Sequence, residues 1–102
     1  YIHPAEYIPF ALAGLWAYNA HLDITSCTVL TAAADPAIET LHHRMPIILK
    51  DDVQEQWLDG QTTVEDARFS LNEHRGGELQ SYRIGREINS NKNQGAQLIE
   101  TV

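Results

Sequence analysis

Cysteine, positive charge and uninterrupted apolar sequence are all scarce in this chain. One cysteine, Cys27, stands among 102 residues. No disulfide can form within the chain, which excludes a small secreted scaffold held together by such bonds. Lysine and arginine number 7 against 14 aspartates and glutamates, a formal net charge of −7. A protein that coats nucleic acid over a broad surface needs the opposite balance, although a small local basic site is compatible with this one. No apolar run approaches the roughly 20 residues of a membrane span. No signal-peptide pattern opens the chain at Tyr1. No membrane partner is expected, and a reducing, cytoplasmic setting is. Glycine-rich phosphate loops of the P-loop or dinucleotide kind are missing as well, since Gly76-Gly77 and Gly95 read as isolated turn glycines.

What is present is an ordinary globular composition. The hydrophobic content of 43% is too high for a disordered chain, and the length predicts a single small domain over residues 1–102. Acidic residues concentrate in the Asp51 to Asp66 stretch, with single positions such as Glu6 and Glu100, whereas Arg44, Arg83, Arg86 and Lys92 lie elsewhere, so a polarised molecule is expected.

Taken in order, Tyr1-Ile2-His3 reads as the tail of a strand. Residues 8–16 are nearly all apolar and predict a strand buried on both faces, beginning at or after Pro9. Asn19 to Asp23 is a polar turn, and the β-branched run 25–32 predicts the second strand of an antiparallel hairpin. Cys27 and Val29 share one face of it, and Cys27 is expected as a small core residue, because a buried thiol is a poor thiolate. Asp35-Pro36 signals a helix start, with Asp as cap and Pro at the first helical position. Met45-Pro46 returns the chain to an extended path. Ile47-Ile48-Leu49 predicts a brief apolar strand. A second helix starts at Asp51 and runs to Leu58, with Val53, Trp57 and Leu58 on one face and Gly60 as its stop. Thr62-Thr63-Val64-Glu65 fits a capping box for a third helix to about Asn72. His74-Arg75-Gly76-Gly77 predicts a turn, 79–84 a strand, 89–95 a polar loop, and Leu98-Ile99 with Val102 a short strand or docked tail.

The chemistry concentrates in Leu41-His42-His43-Arg44-Met45-Pro46. Histidine suits general acid/base work because its ordinary pKa of about 6.5 lies near physiological pH. His42 and His43 are adjacent and point different ways, so spacing alone leaves either as the candidate. Glu39-x-x-His42 places two metal-type ligands on one helix face. A catalytic zinc wants three protein ligands, and His3, His21 and His74 are scattered, so no metal and no cofactor is expected. Arg44 matches phosphate oxygens as a bidentate donor, and Thr31 at a strand end offers a hydroxyl beside it. Trp16 and Trp57 are either base-stacking or core aromatics.

Several stretches in this order carry a family resemblance. They are Pro9-Phe10-Ala11-Leu12-Ala13-Gly14-Leu15-Trp16, Cys27-Thr28-Val29-Leu30-Thr31-Ala32-Ala33-Ala34-Asp35, Leu41-His42-His43-Arg44-Met45-Pro46-Ile47-Ile48-Leu49 and Trp57-Leu58. Near the end come Ile88-Asn89-Ser90, Lys92-Asn93-Gln94-Gly95 and Leu98-Ile99. Together they resemble the C-terminal half of the SOS response-associated peptidase (SRAP) family, which shields abasic sites in DNA.

The resemblance implies a fold and a mechanism. The fold is a β-rich α+β domain, a curved or barrel-like mixed sheet with two or three short peripheral helices, of which this chain is an incomplete portion. In the family, an N-terminal cysteine captures the aldehyde of a ring-opened abasic site in single-stranded DNA as a thiazolidine. His42 corresponds to the general acid/base, Arg44 to a phosphate contact and Thr31 to a DNA-backbone contact, while His43 receives no catalytic role. The nucleophilic cysteine and its Asn and Glu helpers have no counterpart here, and Cys27 matches no catalytic position. Implied partners are therefore single-stranded DNA with abasic sites and an N-terminal half, or a companion chain of the same fold. The chain alone is expected to be inactive in crosslinking, and a nucleoid-associated location follows when DNA is bound. The other reading is a non-catalytic single-stranded DNA binding module.

Overall fold

Three extended stretches each change partner halfway along, and the architecture follows from that. The computed structural model describes residues 1–73 and 79–102. Strands β2 (Ala11–Leu12) and β3 (Gly14–Asn19) are one run interrupted at Ala13; β4 (Ile24–Val29) and β5 (Thr31–Ala33) are interrupted at Leu30; β6 (Arg44–Pro46) and β7 (Ile48–Leu49) at Ile47. All pairings are antiparallel: β2 with β7, β3 with β4, and β5 with β6. The three interrupting residues close a ring of backbone hydrogen bonds. Ala13 N–H donates to Ile47 O, Ile47 N–H to Leu30 O, and Leu30 N–H to Ala13 O, each at 2.9 Å. Every polar backbone group that would be orphaned where the strands part is thereby paired. A two-stranded arm leaves the junction in each of three directions. The junction also explains the small residue at its centre, since Ala13 is 0% exposed.

Two small cores flank this junction. Ala13, Leu49 and Val53 form one, with Trp57 and Leu71 packed against it. Ile38, Met45 and Ile48 form the other, with Ala34 and Leu79. Ile48 and Leu49 are neighbours on β7 and point to opposite cores, as strand alternation requires. The strand buried on both faces is therefore β7, not the expected run 8–16. Of that run only Ala13 is buried, and Phe10, Leu12, Leu15 and Trp16 are exposed, because the chain turns at the junction and sends β3 outward.

The β3–β4 hairpin forms as expected, in the register Trp16↔Cys27 and Tyr18↔Thr25. Its turn is built by Asn19, whose Oδ1 accepts from the N–H groups of His21 (3.0 Å) and Leu22 (3.2 Å), a typical Asx arrangement. Asp23 closes it with φ 50°. The Asp23 carboxylate accepts from the Tyr18 hydroxyl at 2.7 Å, and this bond, with some burial, raises the Tyr18 pKa above its usual value. Every residue of both strands is exposed. Cys27 is accordingly an exposed thiol and not the core residue expected, because no third layer of the described residues packs on the hairpin.

Helix α1 (Pro36–Glu39) starts where Asp35-Pro36 signals. The Asp35 backbone carbonyl holds the first turn, accepting from Ile38 and Glu39 N–H at 2.9 Å each. Helix α2 (Asp51–Leu58) matches its expected bounds. Val53 is buried on it at 2%, but Leu58 is 83% exposed and does not join that face. Helix α3 (Val64–Glu73) is capped one residue later than expected. Thr63 Oγ1 accepts from Asp66 N–H at 3.1 Å, while the Thr62 hydroxyl donates to Gln56 O at 2.7 Å. Strand β1 (Ile2–Pro4) pairs with β8 (Leu79–Ser81), shorter than the expected 79–84. Ile84 makes only a bridge to Thr101. The tail docks through short 3-10 turns at Arg86–Asn89 and Ala96–Ile99. The turn expected at His74-Arg75-Gly76-Gly77 lies outside the described residues. The α+β class expected from sequence is borne out, with short helices around paired strands that form no closed barrel among the described residues. No helix of the described residues is long and apolar enough to cross a membrane.

Candidate functional site

The β5–β6 ladder places Ala33 opposite Arg44, Ala32 opposite Met45 and Thr31 opposite Pro46. Alternation sends Met45 and Ala32 to one side, where Met45 is buried, and Arg44 and Thr31 together to the other. They stand diagonally across the ladder, a spacing a long side chain can bridge. Arg44 does so: its Nη2 donates to Thr31 O and to Thr31 Oγ1, both at 3.0 Å. Because Thr31 Oγ1 accepts from Arg44, its own proton is free to point outward. Both bonds use Nη2, which leaves Nη1 and Nε of the guanidinium for a ligand. Thr31 is thus first of all a support for Arg44.

His42 enters the same site from the end of α1. Its backbone N–H donates to Ile38 O at 3.0 Å, so the helix terminates on it. Its ring then folds over the next residue but one. Nδ1 lies 3.0 Å from both the N–H and the carbonyl oxygen of Arg44. The neutral ring with its proton on Nε2 accepts from the Arg44 N–H; a ring protonated on Nδ1 donates to the Arg44 carbonyl. One backbone residue serves both protonation states and fixes the ring plane, leaving Nε2 turned away from the backbone. This is why the spacing His42-x-Arg44 matters: the clasp is a contact from side chain i to backbone i+2. His43 lies against it, with ring centroids 4.6 Å apart and planes 18° apart. The two imidazoles therefore do not point apart as adjacency suggested; His43 O accepts from Ala34 N–H at 3.0 Å, and the rings stack.

Beside these groups runs a groove of about 210 Å³ lined by Phe10, Leu12, Leu41, His42, Arg44 and Met45 among others. Its floor is apolar and its polar edge is His42 and Arg44. The arrangement offers a proton donor or acceptor, a cation with unused N–H groups and an apolar wall. The lone cysteine is not among the groove residues; it sits in β4 opposite Trp16. Trp16 is 75% exposed, whereas Trp57 is half-buried and donates its Nε1–H to Gly14 O at 3.1 Å, which makes it a strut of the junction.

Comparison with known proteins shows the family. The family described as SOS response associated peptidase (SRAP) matches residues 1–91. The chain belongs to the SRAP family. Among curated relatives, it is 32% identical over 96 residues to the abasic site processing protein YoqW of Bacillus subtilis, covering 90% of this chain and 43% of that one. It is 30% identical over 95 residues to the abasic site processing protein YoaM of the same organism, covering 89% and 42%. The protein YobE, similarly named, is 31% identical over 85 residues, covering 79% and 39%. The SRAP chain described here thus spans less than half the length of these relatives.

Sequence reading singled out Thr31, His42 and Arg44, and the three meet at one edge of the SRAP chain. It missed two things. The hydroxyl of Thr31 is engaged with Arg44, which is visible only once the ladder register is known. An aromatic cluster around His3 also escaped notice, because its members Tyr1, Tyr7 and Tyr82 are far apart in sequence and carry no motif.

Proposed function

We propose that this chain supplies the His42, Arg44 and Thr31 side of a site that processes abasic sites in single-stranded DNA. The curated relatives are named for abasic site processing, and that reading is extended here to this chain. The observation that carries it is the Arg44 guanidinium braced on Thr31 beside an imidazole clasped by the Arg44 backbone. A braced guanidinium suits a phosphate oxygen, since little freedom is lost when it binds. An imidazole supported in both protonation states suits transfer of a proton to and from a sugar oxygen.

In the proposed reaction, ring opening of the abasic sugar moves a proton off the C1′ hydroxyl and one onto the ring oxygen, giving the aldehyde. The amine of an N-terminal cysteine condenses with that aldehyde with loss of water, and its thiol adds to the imine carbon to close a thiazolidine. His42 acts as the acid/base; Arg44 and Thr31 hold the DNA backbone. Cys27 is not the nucleophile in this reading, because it lies in the β3–β4 hairpin and not in the groove. The cysteine is supplied by an N-terminal half of an SRAP domain, or a companion chain, of which residues 1–102 form the C-terminal portion. By itself the chain is a single-stranded DNA binding element.

The test uses abasic single-stranded DNA and the chain joined to, or mixed with, an N-terminal SRAP half. His42→Ala is expected to slow crosslink formation or reversal by roughly 100-fold or more while binding to intact single strands persists. The wild-type rate should vary between about pH 5 and 8, where histidines titrate. An unchanged rate in the variant, with a flat pH profile, removes His42 from the chemistry. Steep salt dependence with no covalent adduct in any combination favours the binding module.

A further inference from the structure

Next to the groove, across Ile2 and Phe10, is an aromatic cluster that the reaction does not use. His3 is 3% exposed. Tyr7 stacks on it with ring centroids 3.9 Å apart and planes 16° apart, and Tyr1 lies on it at 5.7 Å. Tyr82 completes the cluster at 5.6 Å from His3, and its hydroxyl donates to Ile99 O at 2.6 Å. Burial, together with the neighbouring Tyr7 and Tyr1 phenols, raises the Tyr82 pKa above its usual value.

Tyr7 is the unusual member. Its N–H donates to Pro4 O at 3.1 Å, closing a tight turn, and its φ is 55°. A bulky side chain in the left-handed region is strained, and such strain concentrates at functional positions. The ring is nevertheless 65% exposed, so burial does not repay that strain. One π-face rests on His3 and the other is open. A cavity of about 370 Å³ lies here, lined by Tyr1, His3, Tyr7 and Phe10 among others. Ile2 and Phe10 line both this cavity and the groove at His42 and Arg44. The two therefore adjoin across these side chains.

We propose that Tyr7, backed by His3, is a stacking platform for an unpaired nucleobase of the same DNA strand whose abasic position lies at His42. The proposal rests on the reading of that site as a single-stranded DNA site. Base stacking on an aromatic ring tolerates any base, because every base has a π-face. It also needs no positive charge, which suits a chain of net charge −7.

The backbone strain makes a clean test possible. Glycine adopts φ 55° without penalty, so Tyr7→Gly removes the ring and keeps the turn. Binding of a fluorescently labelled oligothymidylate, with and without one abasic position, is measured by anisotropy. Tyr7→Gly should keep the wild-type urea midpoint or raise it, and should weaken binding about 5- to 100-fold. Its salt dependence should stay as in wild type, since no charge is lost. Tyr7→Trp should bind as tightly as wild type or more so. If Tyr7→Gly binds as tightly as wild type while Arg44→Ala binds more weakly, the platform is overturned and the DNA site stands. If the wild-type chain binds no single strand at low salt, the functional reading fails, and the platform with it.

Discussion

At the scale of single residues, the decisive fact is which atoms of Arg44 are already used. Nη2 is committed to Thr31, so the side chain is held by one corner of its fork and presents the rest. Lysine cannot do both, having a single ammonium and no planar fork. Arg44→Ala should lower the slope of log binding constant against log salt by about 0.7, the value for one phosphate contact on a single strand. Thr31→Val should weaken DNA binding less than Arg44→Ala, and the two effects should be non-additive, with a coupling of about 0.5–1.5 kcal/mol, the net worth of one hydrogen bond. Titrations of a single-stranded oligonucleotide at several salt concentrations measure both quantities. Additive effects would mean that Thr31 touches DNA independently of Arg44. Residue identity alone made Arg44 and Thr31 candidates; that one braces the other depends on the β5–β6 register.

At the scale of elements, the junction at Ala13, Leu30 and Ile47 governs the rest. It divides the two runs read from sequence as continuous strands, 8–16 and 25–32, and the extended stretch around Ile47 into six short strands. Nothing in 8–16 or 25–32 announces the break, since alanine, leucine and isoleucine carry no turn chemistry. Only the competition of three chains for one another's hydrogen bonds produces it. Ala13→Leu should therefore be among the costly substitutions. It adds volume where exposure is 0%, and overpacking of this kind costs about 1–3 kcal/mol or more. Urea denaturation followed by circular dichroism should show the midpoint fall, whereas Leu58→Ala, at a site 83% exposed, should leave it nearly unchanged. The helices were more legible because their signals are local. Asp35-Pro36, the 51–58 pattern and the threonine before Val64 each act within a turn of the chain, and the only error at their starts was one residue in the α3 cap.

At the scale of the whole molecule, the chain is open. Its radius of gyration is 16.5 Å, where a compact domain of this length has about 13 Å. Its accessible surface is 8265 Å², where a compact chain of its mass exposes about 5,800 Å². An excess of this order is what a permanent interface covers, and the exposed apolar side chains of the β3–β4 hairpin, Leu15, Trp16, Tyr18, Ile24 and Val29, are part of the excess. Joining the chain to an N-terminal SRAP half should slow amide hydrogen exchange at β3 and β4 by the stability of that interface, while Ala13, Leu30 and Ile47 are protected in both forms. Equal exchange of the hairpin in the two forms would mean that the added half packs elsewhere.

Local chemistry written in the sequence was enough to specify the family, the helix starts to within one residue and the hairpin turn at Asn19, and to single out His42, Arg44 and Thr31 as candidates, because each depends on neighbours a few positions away or on residue type. Four features needed the tertiary structure: the break of the strands at Ala13, the exposure of Cys27, the bracing of Arg44 by Thr31 and the stack of Tyr7 on His3. Each is a contact between segments distant in the chain, and its energy depends on register and on what remains uncovered, which no local pattern of residues encodes.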